Sequence, residues 1–335
     1  MAWNVTLTKG TMVLSKLYIA RERANTAKST EQASVLFCCL RRSMKDFGAV
    51  GKTVTGNEGN KCNYPTRLDT YGCGCTHDCK YCYAKSLLQF RGLWDAQHPS
   101  VADISTIARS IKKMPRNAPA LRLGGMTDCF QPIEKTHRIT YKTIKLLNRY
   151  RRPYLIVTKS AMVADPEYLE ILDPELAHIQ ITVTTTDDDL ARSYEKASLP
   201  SERIRALQNL ALRGFDAQLR LSPLIPGYLD FGQINSVECD KVLVEFLRAN
   251  SWIRKWFDID YSQYTVQQSG YWHLPLEAKI HYLEKITGFK EMSVCEDESR
   301  AYEYWKKYVN HNKDDCCNLR TEETAWTTKS KTSSG

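Results

Sequence analysis

Short β-branched or aromatic runs alternate with longer amphipathic stretches after residue 65. The runs 120–124, 154–158, 178–184, 217–222 and 257–261 read as strands. Helical spacing of apolar positions marks 101–113, 136–150, 165–172, 201–213 and 237–249. Asp187 and Ser201 suit helix N-caps, Glu202 lies in the first turn after Ser201, and Gly214 suits a C-terminal stop. Repeated strand–helix alternation predicts a parallel sheet covered by helices.

Residues 1–60 show no such period and read as a basic N-terminal extension. Residues 61–265 carry the alternation and form the main domain. Residues 266–320 read as a helical, cysteine-containing segment, in which Tyr302, Tyr304, Trp305 and Tyr308 have the spacing of a helix face packed on a core. Residues 321–335, rich in Ser and Thr, are expected to be disordered.

The 335-residue chain has 42% hydrophobic and 25% charged residues, which excludes fibrous and wholly disordered classes. No apolar run approaches the roughly 18 residues of a membrane span, and no signal-peptide pattern opens the chain. A soluble, cytoplasmic protein with no membrane partner is expected. Charge is divided unevenly: residues 1–160 carry 27 Lys and Arg against 10 Asp and Glu, whereas the remainder is net acidic. That asymmetry suits a polyanion bound by the N-terminal half, or a solvated basic surface.

Twelve cysteines without a secretory signal point to metal ligands or reactive thiols more than to disulfides. Cys73, Cys75, Cys79 and Cys82 fall within ten residues. Closely spaced thiolates let one loop wrap three corners of a four-iron cube. Three ligands leave one iron open to an exogenous chelating group. Addition of Cys73 would close the set as structural zinc or a fully ligated cluster, although zinc sites usually pair a CxxC with a distant second pair. The loop follows an apolar stretch at 68–71 and precedes a helix expected to begin near Cys79, a strand-to-helix position that suits the C-terminal rim of a barrel.

The spacing Cys75-x3-Cys79-x2-Cys82, with Tyr81 before the third cysteine, resembles the radical S-adenosylmethionine (SAM) superfamily. The string GCTHDCKYCYA at 74–84 is similar to its spore photoproduct lyase-like branch, also called DNA repair photolyase-like. LGGMTDCFQPIEK at 123–135, LIVTKS at 155–160, the stretch 179–204 and LRLSPLIPGYLD at 219–230 follow in that branch's order. The resemblance covers about residues 60–235.

It implies a partial (β/α)6 TIM-type barrel and a lyase-like enzyme. In such an enzyme a [4Fe–4S] cluster on Cys75, Cys79 and Cys82 reductively cleaves SAM to a 5′-deoxyadenosyl radical. SAM contacts are implied for Gly124, Gly125 and Thr127, for Thr158, Lys159 and Ser160, and for Ser222 and Ile225. Tyr81 and Tyr83 match the branch's catalytic tyrosines. Its hydrogen-donor cysteine would stand just before Thr127-Asp128, where this chain has Gly125; Cys129 serves from a shifted position, or is a small buried residue. Asp128 and Glu134 bind substrate or hold their loop; Glu195 and Arg203, which match the branch, form an ion pair or lie on the surface.

The expected partners are nucleic acid, DNA before RNA, and a one-electron donor such as flavodoxin or ferredoxin. DNA lesion repair is the activity implied. Modification of RNA, a nucleotide or a peptide is the alternative, and a non-enzymatic zinc module for nucleic acid is a third reading. Cys295, Cys316 and Cys317 suggest either a second Fe–S cluster, completed by Cys62 or His311, or unpaired thiols in a packed element.

Overall fold

The computed structural model describes residues 47–52 and 61–319. Most of the basic extension and the whole 321–335 tail therefore lie outside the described residues. Eight strands form one sheet in chain order: β1 (Val50–Lys52), β2 (Thr66–Leu68), β3 (Leu121–Leu123), β4 (Tyr154–Thr158), β5 (Ala177–Val183), β6 (Asp216–Leu224), β7 (Lys241–Phe246) and β8 (Glu291–Val294). β1 is antiparallel to β2, and every pair from β2 to β8 is parallel.

Parallel neighbours need crossovers, which here are mostly helical. The main helices are α1 (Tyr83–Phe90), α2 (Ile104–Lys113), α3 (Ile139–Arg149), α4 (Asp188–Tyr194), α5 (Pro200–Leu212), α6 (Leu276–Leu283) and α7 (Ser299–Tyr308). Because strand order never reverses, the sheet is an open, partial TIM-type barrel, with β1 and β8 at its two edges. All strand C-termini from β2 to β8 therefore meet on one rim.

The strands explain which side chains reach the interior. Along β5, His178, Gln180 and Thr182 alternate with Ile179, Ile181 and Val183, and all six are buried. The apolar set packs on α5, which buries Ala206, Leu207 and Leu210. Each such aliphatic side chain contributes about 1.5–3 kcal/mol on burial. The polar set faces inward: Gln180 donates to Gln218 at 2.7 Å and accepts from Arg220 at 2.8 Å.

Several sequence expectations are corrected. Residues 237–249 hold β7 instead of a helix, because Val242, Leu243 and Val244 are all fully buried. An amphipathic helix would bury one side of that run, whereas a parallel strand covered on both faces buries all of it. Residues 257–261 form no strand; Phe257 packs its ring against Tyr81 and Tyr194. The N-cap of α5 is Leu199 with Pro200 next, and Ser201 bonds Asp188 instead. Residues 266–320 are not helical alone, since β8 extends the sheet there. Trp305 on α7 is core, while Tyr308 at its end is 62% exposed.

Candidate active site

The cysteine loop leaves β2 through a strained passage. Cys73 and Asp78 have φ of 54° and 41°, and a Cβ on Gly74 would lie 1.8 Å from the Asp95 carbonyl oxygen. Tight turns follow, with Asp78 N donating to Cys75 O at 3.1 Å and Cys82 N to Cys79 O at 3.2 Å. The loop is docked onto the end of α4, where Lys80 N donates to Tyr194 O at 2.9 Å and Lys196 N to His77 O at 2.7 Å. The expected helix after the cysteines starts at Tyr83, with Cys82 as its N-cap; the Cys82 sulfur accepts from Lys85 N at 3.4 Å.

Cys75, Cys79 and Cys82 line one cavity at the C-terminal rim, and Cys73 is not among its wall residues. Gly124 and Thr127 after β3, Thr158 and Lys159 at the end of β4, and Ser222 on β6 line the same cavity, as do Tyr81 and Tyr83. Four expected site residues stand apart from it. Cys129 is fully buried away from the wall, Ile225 is buried, Ser160 caps the turn after β4, and Gly125 lies behind the wall.

The Gly-Gly loop owes its course to Asp69, which sequence reading missed. Its Oδ1 accepts from the consecutive amides of Gly125, Met126 and Thr127 at 2.9, 2.8 and 3.1 Å. Burial raises the Asp69 pKa, and those amides oppose the rise. The carbonyl of Gly125 is turned toward cavity residue Tyr83, whose hydroxyl donates to it at 2.8 Å. Gly124 has φ of 84°, and a Cβ there would lie 2.5 Å from Val157 O, so the backbone requires glycine.

Asp128 ties three segments together. It accepts from Thr158 Oγ1 at 2.7 Å, Lys159 N at 2.7 Å and Phe130 N at 2.8 Å, and stands 3.5 Å from His77 of the cysteine loop. Burial would raise its carboxyl, but His77 and the amides hold it down to about 2. Glu134 likewise holds structure, accepting from Thr140 N and Tyr141 N at 2.9 Å and from Tyr168 at 2.7 Å. Glu195 and Arg203 form a buried ion pair, with side chains 1% and 0% exposed. The Tyr81 hydroxyl donates to Glu195, and Cys79 Sγ lies 3.8 Å from the same carboxylate.

Sequence reading also missed Arg122, Arg220, Glu245 and Arg248, which line the cavity. Arg220 and Ser222 both donate to Glu245. Burial would raise the Glu245 carboxyl, yet Arg220 and Arg248 hold it down to about 2. The available signal was the alternation of polar residues Asp216, Gln218, Arg220 and Ser222 through an otherwise apolar strand.

The donor set fits an iron–sulfur cluster. Cys75, Cys79 and Cys82 are free thiols in one cavity wall. A cluster spreads its ligands around several metals. Burial, with Asp128 nearby, pushes the Cys75 thiol up to about 12. Ionisation of such a thiol at neutral pH calls for a cationic partner, and iron supplies one.

The open barrel thus carries three thiols at its C-terminal rim. Residues 70–230 match the radical SAM superfamily. Over 164 residues the chain is 26% identical to an uncharacterized protein of Methanocaldococcus jannaschii, in a match that spans 47% of this chain and 60% of that protein. The chain thus spans less than two thirds of that relative's length. Among solved structures, spore photoproduct lyase complexed with dinucleoside spore photoproduct superposes with a TM-score of 0.51 at 14% identity, covering 69% of this chain and 76% of that one. A mutant of that lyase with bound AdoMet and the same dinucleoside gives 0.50 at 14%, covering 70% and 77%. At such identities the likeness establishes a shared fold. No helix among the described residues is long and apolar enough to cross a membrane.

Proposed function

We propose that this chain holds a [4Fe–4S] cluster on Cys75, Cys79 and Cys82 and binds SAM in the cavity above it. The observation that carries the reading is the company of those three thiols. They share one cavity with Gly124, Thr127, Thr158, Lys159 and Ser222, and Cys73 is outside its wall. Three ligands leave one iron for the amino and carboxylate groups of SAM. When bound, cluster and SAM together supply a 5′-deoxyadenosyl radical for hydrogen abstraction.

The protein orients and shields. The Lys159 ammonium bears on Cys79, Cys82 and Glu195, which places positive charge beside the anionic end of the site. Its Nζ stands 5.5 Å from the Tyr81 ring centre. Tyr81 lends that ring to the wall while its hydroxyl is taken by Glu195. Tyr83 brings a phenolic O–H to the cavity and is the proposed hydrogen-transfer group. Cys129, enclosed behind the wall, is given no such role.

The proposed substrate class is nucleic acid, with DNA lesion repair as the particular case. The basic balance of residues 1–160 and the arginines at 122, 220 and 248 around the cavity support it. The fold shared with a lyase bound to a dinucleoside adds to that support. A flavodoxin- or ferredoxin-type donor would supply the electron.

Anaerobic incubation of reconstituted protein with SAM and dithionite tests the cofactor reading. Wild type is expected to form 5′-deoxyadenosine and the Cys79→Ala variant none. A colourless, zinc-loaded wild type would overturn it. For the substrate, deuterated and ultraviolet-treated DNA should pass deuterium into 5′-deoxyadenosine and release restored thymine. Label transfer from RNA or a peptide instead would reject DNA.

A further inference from the structure

Four thiols outside the cysteine loop meet at a second cavity. Cys62, Cys295, Cys316 and Cys317 line it together with Lys61 and Tyr302. Its wall is continuous with that of the first cavity through Arg122, Arg220, Glu245, Phe246, Arg248 and Cys295. We infer that these four cysteines bind a second [4Fe–4S] cluster beside the SAM site.

The approach of these thiols is built into the fold. Cys62 lies four residues before β2, and Cys295 directly follows β8, whose pairing it extends by donating its amide to Val244 O at 2.8 Å. The Cys316–Cys317 turn is held by Asp315, whose Oδ1 accepts from Cys317 N at 2.9 Å. The other oxygen of Asp315 accepts from Tyr64 OH at 2.6 Å, two residues beyond Cys62 and 251 positions from Asp315. Lys241 on β7 adds a bond to Asn318 O at 2.8 Å. One carboxylate and one lysine thus hold the 315–318 turn against the segment before β2 and against the start of β7.

The chemistry of the cavity selects the occupant. All four cysteines are free of disulfides. Cys295 and Cys316 pack against the hydrophobic cluster that holds Cys317, and any one disulfide among the four cysteines would leave two thiols over. A cube has four irons, so adjacent Cys316 and Cys317 need not share one, and the strain of two neighbouring ligands on one metal does not arise. Four thiolates around a cube with a 2+ core leave a net negative charge. The four cations of the wall, Lys61, Arg122, Arg220 and Arg248, outnumber its three carboxylates, Glu245, Glu296 and Asp297, and the buried Nε of Arg122 has no hydrogen-bond partner among the described residues.

The test separates this centre from the one on Cys75, Cys79 and Cys82. Full-length wild type, reconstituted anaerobically, should hold about eight irons and eight sulfides. The Cys75→Ala, Cys79→Ala, Cys82→Ala triple variant should retain about four of each, with absorption near ~400 nm that bleaches with dithionite and a low-temperature paramagnetic resonance signal. The quadruple variant Cys62→Ser, Cys295→Ser, Cys316→Ser, Cys317→Ser should keep the first centre and lose the second, giving about four irons. Circular dichroism and thermal melts identify any variant that fails to fold. A folded triple variant without iron, beside a wild type holding about four, would overturn the second cluster and leave the first standing. Zinc in place of iron in the triple variant would overturn it as well.

Discussion

The two cysteine sets line adjoining cavities and reach them by opposite routes. Cys75, Cys79 and Cys82 come from one loop whose turns are hydrogen-bonded within a few residues. Cys62, Cys295, Cys316 and Cys317 come from the two ends of the sheet and are joined by contacts across some 250 positions, such as the Tyr64–Asp315 bond. A local set is recognisable as a spacing, because chain connectivity alone keeps its members close. A distributed set has no spacing, and only the tertiary contacts of the open barrel show that Cys62 belongs with Cys317.

The sharpest way to break the contrast is on the cluster-loop side. Glu195→Ala removes the partner of a fully buried arginine and frees the Tyr81 hydroxyl. A loss of about 3–5 kcal/mol is expected in urea or thermal unfolding, from the uncompensated buried charge. A loss under about 1 kcal/mol would place this pair among exposed ones. The variant should also show weaker iron retention in the triad while the distal cysteines are unaffected.

A middle effect is expected at the shared wall. The Glu245 carboxyl sits at about 2 in the folded protein against an ordinary value of 4.5. Its ionised form therefore stabilises the fold above about pH 4.5, and this contribution is lost as pH falls from there through about 2. Wild type should lose about 3 kcal/mol more than Glu245→Gln between pH 5 and pH 2. Parallel stability curves for the two proteins would count against the assignment.

The smallest effect lies at the distal staple. Asp315→Ala removes acceptors from Cys317 N and Tyr64 OH, at a cost of about 1–2 kcal/mol. Iron in the Cys75–Cys82 site should be unchanged, while iron from the second site falls. Equal loss from both sites would merge the two regions into one unit and end the comparison.

Much of the scaffold could be read before folding. β5 and α5 were legible because period-2 and helical patterns both report a one-sided environment. β7 was not: KVLVEF is enclosed on both faces, and Lys241 and Glu245, four apart, imitate a helical surface pair. At the site, the cysteine triad and Gly124 were legible from order along the chain. Asp69 was not, since a carboxylate after a strand says nothing of the three amides it will meet.

The linear chain carried what neighbours in sequence decide: a three-cysteine loop between strand and helix, and the alternation that winds a parallel sheet. Folding decided which thiols stay out of the first cavity, which polar strand residues face each other inside the barrel, and which distant cysteines become neighbours. The division has a physical cause. Local spacing is enforced by covalent geometry, whereas convergence of distant segments depends on the register and curvature of a sheet whose strands span hundreds of residues.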